Sequence, residues 1–318
     1  MRRVSPILAA LLLAAPAVGA AYPEKTVRII VPSPAGGGID SMARLLAHKL
    51  TDTLGKQIIV DNRGGAGGNI GTEIAAKAPR DGYTLLMAGS QLVANPTLYG
   101  KVAFDPVKDF EPISLLAFAP NVLVVHPSLP VKSVRDLIAL AKAKPGEVGF
   151  AGSGSGSTPH LAGELFNLMA GIRMVHVPYR GTGPALSGIL GGEASVMFMV
   201  APAATPLVRA ERLRALAVTS ATRLAAMPEL PTIAESGLRG YQSSQWYGLL
   251  APAGTPDDVL QLLNAHAVKF VKGADMQQRL VNDGGIPVGS TREQFAVHIK
   301  DEIVRWAHVI RKSGARPD

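Results

Sequence analysis

The chain of 318 residues has no cysteine. It therefore forms no disulfide and carries no lipid-modified cysteine as a membrane tether, and the fold has to be held by an apolar core. Aromatic residues are scarce at 5%, and charged residues make up 18% of the chain. No Lys/Arg cluster interleaved with aromatics occurs, and the densest basic run, residues 305–316, carries apolar residues at helical spacing, so nucleic-acid binding is excluded as a function class. Long hydrophobic runs are also missing. The apolar stretch at residues 7–18 is too short for a bilayer, which needs about 20 such residues. Behind Arg2 and Arg3, and ahead of Val18, Gly19 and Ala20, it has the form of an export signal cleaved near Ala20. Nothing after Pro23 resembles a stop-transfer helix, which predicts an exported, released protein.

What is present is the composition of a globular protein, 47% hydrophobic, with a length that suits two domains. The formal charge of +8 falls by two when Arg2 and Arg3 leave with the signal. The remaining excess is spread thinly, which serves solubility more than a basic partner surface. Tandem repeats and low-complexity linkers are absent. Apolar β-branched runs alternate with helical stripes. Strands are predicted at 27–31, 57–60, 84–88, 122–125, 148–151, 174–177, 196–198 and 213–218. Helices are predicted after 38 and up to Gly55, and at 67–78, 134–144, 160–170, 184–190 and 202–209. The tail from Pro256 is mostly helical, with Val259, Leu262, Leu263, Ala267 and Phe270 on one face. Such alternation implies an α/β fold with parallel sheets covered on both faces.

In open parallel sheets, ligands bind beyond the carboxyl ends of strands, so the strand-to-helix loops are the candidate site. The first offers Ser33, Ala35, Gly36, Gly37, Gly38 and Asp40. Its glycines allow close backbone approach, and the amides of the following helix form an anion site. It is no dinucleotide fingerprint, because Ser41 stands where the third glycine belongs, and it has no phosphate-binding lysine. Asp40 is expected to cap the helix, since a carboxylate would repel an anionic ligand. Ser90 follows the third strand. The second loop, Ser153, Ser155, Gly156, Ser157 and Thr158, is rich in N–H and O–H donors, with Thr158 the expected N-cap and Pro159 at the first helical position. A nucleophile elbow is excluded, because Gly154 occupies the serine position. Gly181, Thr182 and Gly183 open a third helix. Three helix N-termini aimed at one cleft suit a di- or tricarboxylate.

Catalytic patterns are poor. The histidines are scattered without metal-ligand spacing, and no cofactor or metal is expected. The one local nucleophile–base candidate pairs Ser153, Ser155 or Ser157 with His160, and it keeps a hydrolase open as the lesser alternative.

These residues fall into an ordered set of landmarks: Tyr22 and Pro23; PAGGG at 34–38; NR at 62–63 with GAGGNIG at 65–71; DGYTL at 81–85; and ANP at 94–96 with Leu98 and Tyr99. Then come HPSLP at 126–130, GSGS at 154–157 with HLAGE at 160–164, HVPY at 176–179, RALAV at 214–218, PT at 231–232 with ESG at 235–237, and APAGTP at 251–256. Together they resemble, almost end to end, the tripartite tricarboxylate transporter substrate-binding proteins, the Bug family of periplasmic receptors.

The resemblance implies a two-lobed Venus-flytrap binding protein, each lobe a sheet flanked by helices. Lobe one would comprise residues 22–122 plus 242–318 and lobe two residues 123–241, with crossings near 121–125 and 242–250. It implies a monomer that holds a small carboxylate between the glycine loop of lobe one and the serine and glycine loops of lobe two. Integral-membrane transporter subunits would be its partners; a sensing subunit for a signalling partner would share the same binding chemistry. Tyr179, Tyr241, Trp246 and Tyr247 are aromatics within reach of such a cleft. The chain departs from the family at Ser33, Ile39, Ser195 and Met199; at the last two the family typically carries Asp. If Met199 lines the cleft, the ligand lacks an ammonium group and has an apolar portion; if it packs the core, that inference lapses.

Overall fold

The computed structural model describes residues 22–317, and the export signal expected at residues 1–20 lies outside them. The chain begins as a β/α alternation: β1 Val27–Val31, α1 Gly38–Leu54, β2 Ile58–Asn62, a 3-10 turn Ala66–Gly68, α2 Asn69–Ala76, β3 Thr84–Ala88 and α3 Gln91–Leu98. The long strand β4 Phe110–Val125 follows, and then α4 Val134–Ala143, β5 Gly149–Gly152, α5 Thr158–Ala170, β6 Val175–Pro178, α6 Thr182–Leu190, β7 Val196–Val200, α7 Ala201–Arg209 and β8 Arg214–Val218. The chain closes with β9 Ser244–Pro252, α8 Asp257–Lys272, α9 Ala274–Asn282, β10 Ile286–Pro287 and α10 Arg292–Ser313. Among the described residues no helix is long and apolar enough to cross a membrane.

The strands run in the order β2-β1-β3-β9-β4-β7-β5-β6, with β8 and β10 also paired to β4. The helix-connected strands are parallel, β1 with β2 and β3, and β5 with β6 and β7. The expectation of wholly parallel sheets fails at β4 and β9, which are antiparallel to their neighbours and to each other. Helical crossovers return the chain in the same direction, whereas these two strands carry it between the two strand groups. Strand β4 has 16 residues, about 50 Å at ~3.3 Å each, enough to serve both groups. Its residues Phe110 to Pro120 pair with β9, and Asn121 to Val125 pair with β7 and β8. The exchange of partners falls at Asn121.

Three apolar clusters follow from this layering. Val27, Ile29 and Val31 pack with Met42, Leu46 and Leu50 of α1 and Leu260, Leu263 and Phe270 of α8. Val122, Met197 and Met199 pack with Ala185 and Ile189 of α6 and Ala204 of α7. The largest cluster runs across both strand groups, from Ile30 and Leu86 through Trp246, Phe295 and Trp306 to Phe150, Phe166 and Phe198. Each fully buried side chain of this kind stabilises the fold by about 1.5–3 kcal/mol. Helix α10 joins the groups because Phe295, Ile299, Trp306 and Ile310 recur at helical spacing on its buried side. A capping box of Thr291 and Gln294 starts it, and left-handed Gly314 ends it.

Candidate functional site

The glycine loop between β1 and α1 is built around a carboxylate that does not cap. Gly37 holds the extended N-cap position and lends no side-chain hydrogen bond. Asp40, two positions into the helix after Gly38, turns back instead. Its Oδ2 accepts from the Gly36 N–H at 2.9 Å and from Arg44 Nε at 3.0 Å, and its Oδ1 accepts from Asn62 Nδ2 at 3.0 Å. Burial alone would raise its pKa, but the hydrogen bonds from Arg44, Gly36 and Asn62 outweigh that and hold the carboxyl below its ordinary range. With its oxygens engaged this way, Asp40 braces the loop, and the expectation that it caps the helix is corrected, since Gly37 holds the N-cap position. Ala35, Gly36 and Gly38 are exposed. Gly38 is required by its neighbour, since a Cβ there would collide with Tyr247 Oη.

The serine loop between β5 and α5 also departs from expectation by one residue. Ser157, not Thr158, occupies the N-cap, and its Oγ is buried without a hydrogen-bond partner. Thr158 is the first helical residue, with its hydroxyl occupied elsewhere. It donates to Gln245 Oε1 and lies 3.2 Å from Ser90 Oγ. Gly154 and Gly156 hold φ of 112° and 73°, left-handed values that favour glycine. A Cβ on Gly156 would meet Asn95 of α3, and one on Gly67 would meet the Ser155 carbonyl. These contacts bring Ser90, Ser155, Gly156 and Thr158 against the first strand group. Gly64, packed on Ser33 and Pro34, continues the neighbourhood to the glycine loop. Ser153 is half-buried in the same turn.

The third loop lies beside the second, with the Tyr179 carbonyl 3.7 Å from where a Gly154 Cβ would stand. Gly181 is its N-cap without a side-chain bond, and Thr182 and Gly183 are exposed. Tyr179 Oη donates to Glu193 at 3.1 Å, and burial together with that carboxylate raises its pKa. Tyr241 and Trp246 are buried in the large core cluster, so of the four aromatics only Tyr247, at Gly38, stands against the glycine loop.

Two candidates are displaced by the fold. Ser195 precedes β7, its N–H bonded to Gly149 O and its carbonyl to the His126 N–H. It thus sits at the end of the parallel strands opposite the loops. Met199 is 1% exposed in the cluster with Val122, Met197 and Ala204. Alternation along β7 sends Met197 and Met199 to one face and Val196 and Phe198 to the other. Position 199 packs the core, and the ammonium argument built on it lapses.

The nucleophile–base pair is not assembled at Ser157. His160 Nδ1 accepts the Gly156 N–H at 3.2 Å, and Nε2 points toward Glu164 Oε1 at 4.0 Å. The imidazole stacks on His176 with centroids 4.0 Å apart. Burial pushes the Glu164 carboxyl up to about 7 against an opposing hydrogen bond from Ser313. His160 thereby shapes the serine loop.

Sequence reading missed Asn95, Asn121, Ser243 and Gln245. Asn95 Oδ1, both amide atoms of Asn121 and Ser243 Oγ are buried without hydrogen-bond partners, as is Ser33 Oγ. Native interiors leave few such groups. Here Ser33 stands in the glycine loop, Asn95 lies within α3, and Asn121 and Ser243 stand where the chain passes between strand groups. The available signal was a polar residue inside an otherwise apolar run, such as Gln245 ahead of Trp246, Leu249 and Leu250.

The arrangement has known relatives. The sequence model described as the tripartite tricarboxylate transporter family receptor matches residues 42–315. Protein BugT of Bordetella pertussis is 40% identical over 306 residues, 96% of this chain and 94% of BugT. A solved R. palustris protein with adipate superposes with a TM-score of 0.87 at 38% identity, covering 93% of this chain and 100% of its own. MatC from Rhodopseudomonas palustris with bound malate gives 0.83 at 31% identity, covering 91% and 100%. The periplasmic binding protein BugD gives 0.85 at 32%, covering 93% and 100%. With a family match over most of its length and a relative at this identity, the chain belongs to the tripartite tricarboxylate transporter receptor family, the solute-binding Bug proteins.

Proposed function

We propose that the protein is a periplasmic receptor that captures a small carboxylate between two lobes and delivers it, by hinge closure, to the integral-membrane subunits of a tripartite tricarboxylate-type transporter. Lobe one is residues 22–122 with 242–318, and lobe two is residues 123–241. The observation that carries this reading is the pair of helix starts, α1 at Gly37 and α5 at Ser157, whose N-cap residues give no side-chain hydrogen bond. Their first amides remain available to an anion, each helix end favouring a negative charge by about 0.3–1 kcal/mol, and up to ~2 where partly buried. Relatives solved with adipate and with malate support a dicarboxylate as the solute. Ligand specificity lies with Ser33, Gly36 to Gly38, Ser90, the serine loop and Gly181 to Gly183.

Binding without turnover is the expected behaviour. Calorimetry on the ligand-stripped mature protein against adipate, malate, tricarboxylates, aromatic acids and amino acids tests it. Saturable one-to-one binding of a carboxylate, with the acid recovered unchanged, supports the receptor. No binding by any carboxylate, or conversion of the acid, overturns it.

A further inference from the structure

The polar groups at the crossing form a site of their own. Asn121 is the residue at which β4 exchanges partners, and Ser243 immediately precedes β9. Thr219 ties the two together. Its Oγ1 accepts the Asn121 N–H at 2.8 Å, its N–H donates to Asn121 O at 2.9 Å, and its carbonyl accepts the Ser243 N–H at 2.9 Å. The main chains are thus satisfied, while the side chains are not. Both residues are 0% exposed, and Asn121 Nδ2, Asn121 Oδ1 and Ser243 Oγ have no hydrogen-bond partner within the protein.

Their direction follows from strand alternation. On β9, Tyr247 reaches Gly38 at the start of α1, and Gln245 reaches Thr158 at the start of α5. Ser243 continues that two-residue period. On β4, Ala117 and Ala119 lie opposite Tyr247 and Gln245, and Asn121 is the next residue on their face. The same face that meets both helix starts therefore ends in an amide and a hydroxyl.

We propose that Asn121 and Ser243 form a polar floor to the cleft that recognises a hydroxyl group on the carbon skeleton of the bound carboxylate. The proposal rests on the receptor reading above. An amide offers one donor and one acceptor side, and a serine hydroxyl offers both. A hydroxyl satisfies all of them. A carboxylate, which only accepts, would meet Asn121 Oδ1 unfavourably, and a methylene would leave every group unpaired. Sites built to hydrogen-bond a hydroxyl discriminate strongly against analogues that lack it.

The test is calorimetric affinity for matched pairs, succinate against malate and adipate against 2-hydroxyadipate, on wild type, Ser243→Ala and Asn121→Leu. In wild type the hydroxy acid of the better-fitting pair binds at least about tenfold more tightly, and both substitutions collapse that ratio toward one. Ser243→Ala decides the matter if Asn121→Leu does not fold, because the Ser243 main-chain bonds do not use its hydroxyl. Equal affinity of wild type for both members of each pair, or an unchanged ratio in folded Ser243→Ala, overturns the polar floor and leaves the receptor standing. Failure of every carboxylate to bind removes the receptor reading and the polar floor with it.

Discussion

Thr158 donates its hydroxyl hydrogen to the side-chain carbonyl of Gln245, 87 residues further along the chain. With that hydrogen committed, Ser90 Oγ at 3.2 Å is the donor to Thr158. Gln245 Nε2 in turn donates to Trp246 O at 2.8 Å. A single directed chain of hydrogen bonds thus joins the β3–α3 turn, the start of α5 and the crossing strand β9. Replacing Thr158 by Val keeps the shape and breaks the chain in the middle, leaving Gln245 Oε1 and Ser90 Oγ without this partner in a buried setting. The expected loss is about 1–3 kcal/mol of unfolding free energy, read by urea denaturation; a change below about 0.5 kcal/mol would show that the bond adds nothing.

Asp40→Ala should loosen the glycine loop. The carboxylate holds Gly36, Arg44 and Asn62 at once, and hydrogen bonds to a charged group contribute about 1.5–3 kcal/mol each at most, so a destabilisation of about 2 kcal/mol is expected at neutral pH. Because the folded-state pKa is lowered, this stabilisation is fully present above the unfolded value near ~3.9 and disappears as pH falls through the folded one. Stability curves of wild type and variant should therefore converge at acid pH. Parallel curves would refute the ionic brace.

Gly38→Ala places a methyl group against Tyr247 Oη. Overpacking of this kind typically reduces stability by about 1–3 kcal/mol. Tyr247→Phe removes the oxygen and should recover part of the loss. A thermal-denaturation double-mutant cycle checks this, and strict additivity would show that the two positions do not interact.

Met199→Asp is expected to unfold or severely destabilise the protein, by about 3 kcal/mol or more, through a buried unpaired charge. Met199→Leu should change stability by less than about 1.5 kcal/mol. If the Asp variant folds normally and binds cationic ligands, position 199 faces the cleft after all.

Glu164 makes stability fall with rising pH. Its folded pKa is pushed up to about 7 from an ordinary 4.5, so between those values the folded chain keeps a proton that the unfolded chain has released. Glu164→Gln should leave stability nearly unchanged below pH 4.5 and raise it by about 3 kcal/mol at pH 8. Chemical denaturation across that pH range measures the difference, and a pH-independent effect would argue against the shift.

Much of the fold was legible in the residues themselves. Val27–Val31 and Thr84–Ala88 are apolar runs bounded by turn residues, and the structure places β1 and β3 there. Gly55 ends α1 in the left-handed conformation, as its position after an apolar stripe predicts. The first part of β4 was not legible, because Pro112 and Pro120 interrupt a strand buried on both faces. Helix α3 was hidden by its length of eight residues and by Pro96. The loops of the site announced themselves through glycine and serine at strand ends. Thr158 looked like a cap because capping is a local rule, and a distant glutamine claimed its hydroxyl instead.

The sequence by itself determined the helix-connected strands, most of the helices, the glycine turns and the family, since each rests on residues adjacent in the chain or on ordered motifs. Tertiary structure alone decided that Ser90 and Gln245 meet Thr158, that Met199 packs inward, that Ser195 lies at the wrong end of its strand, and that Asn121 and Ser243 share one buried polar corner. Periodicity fixes which way a side chain points from its own strand or helix. Which group waits on the other side depends on contacts between residues tens of positions apart, and only the packed chain brings those together.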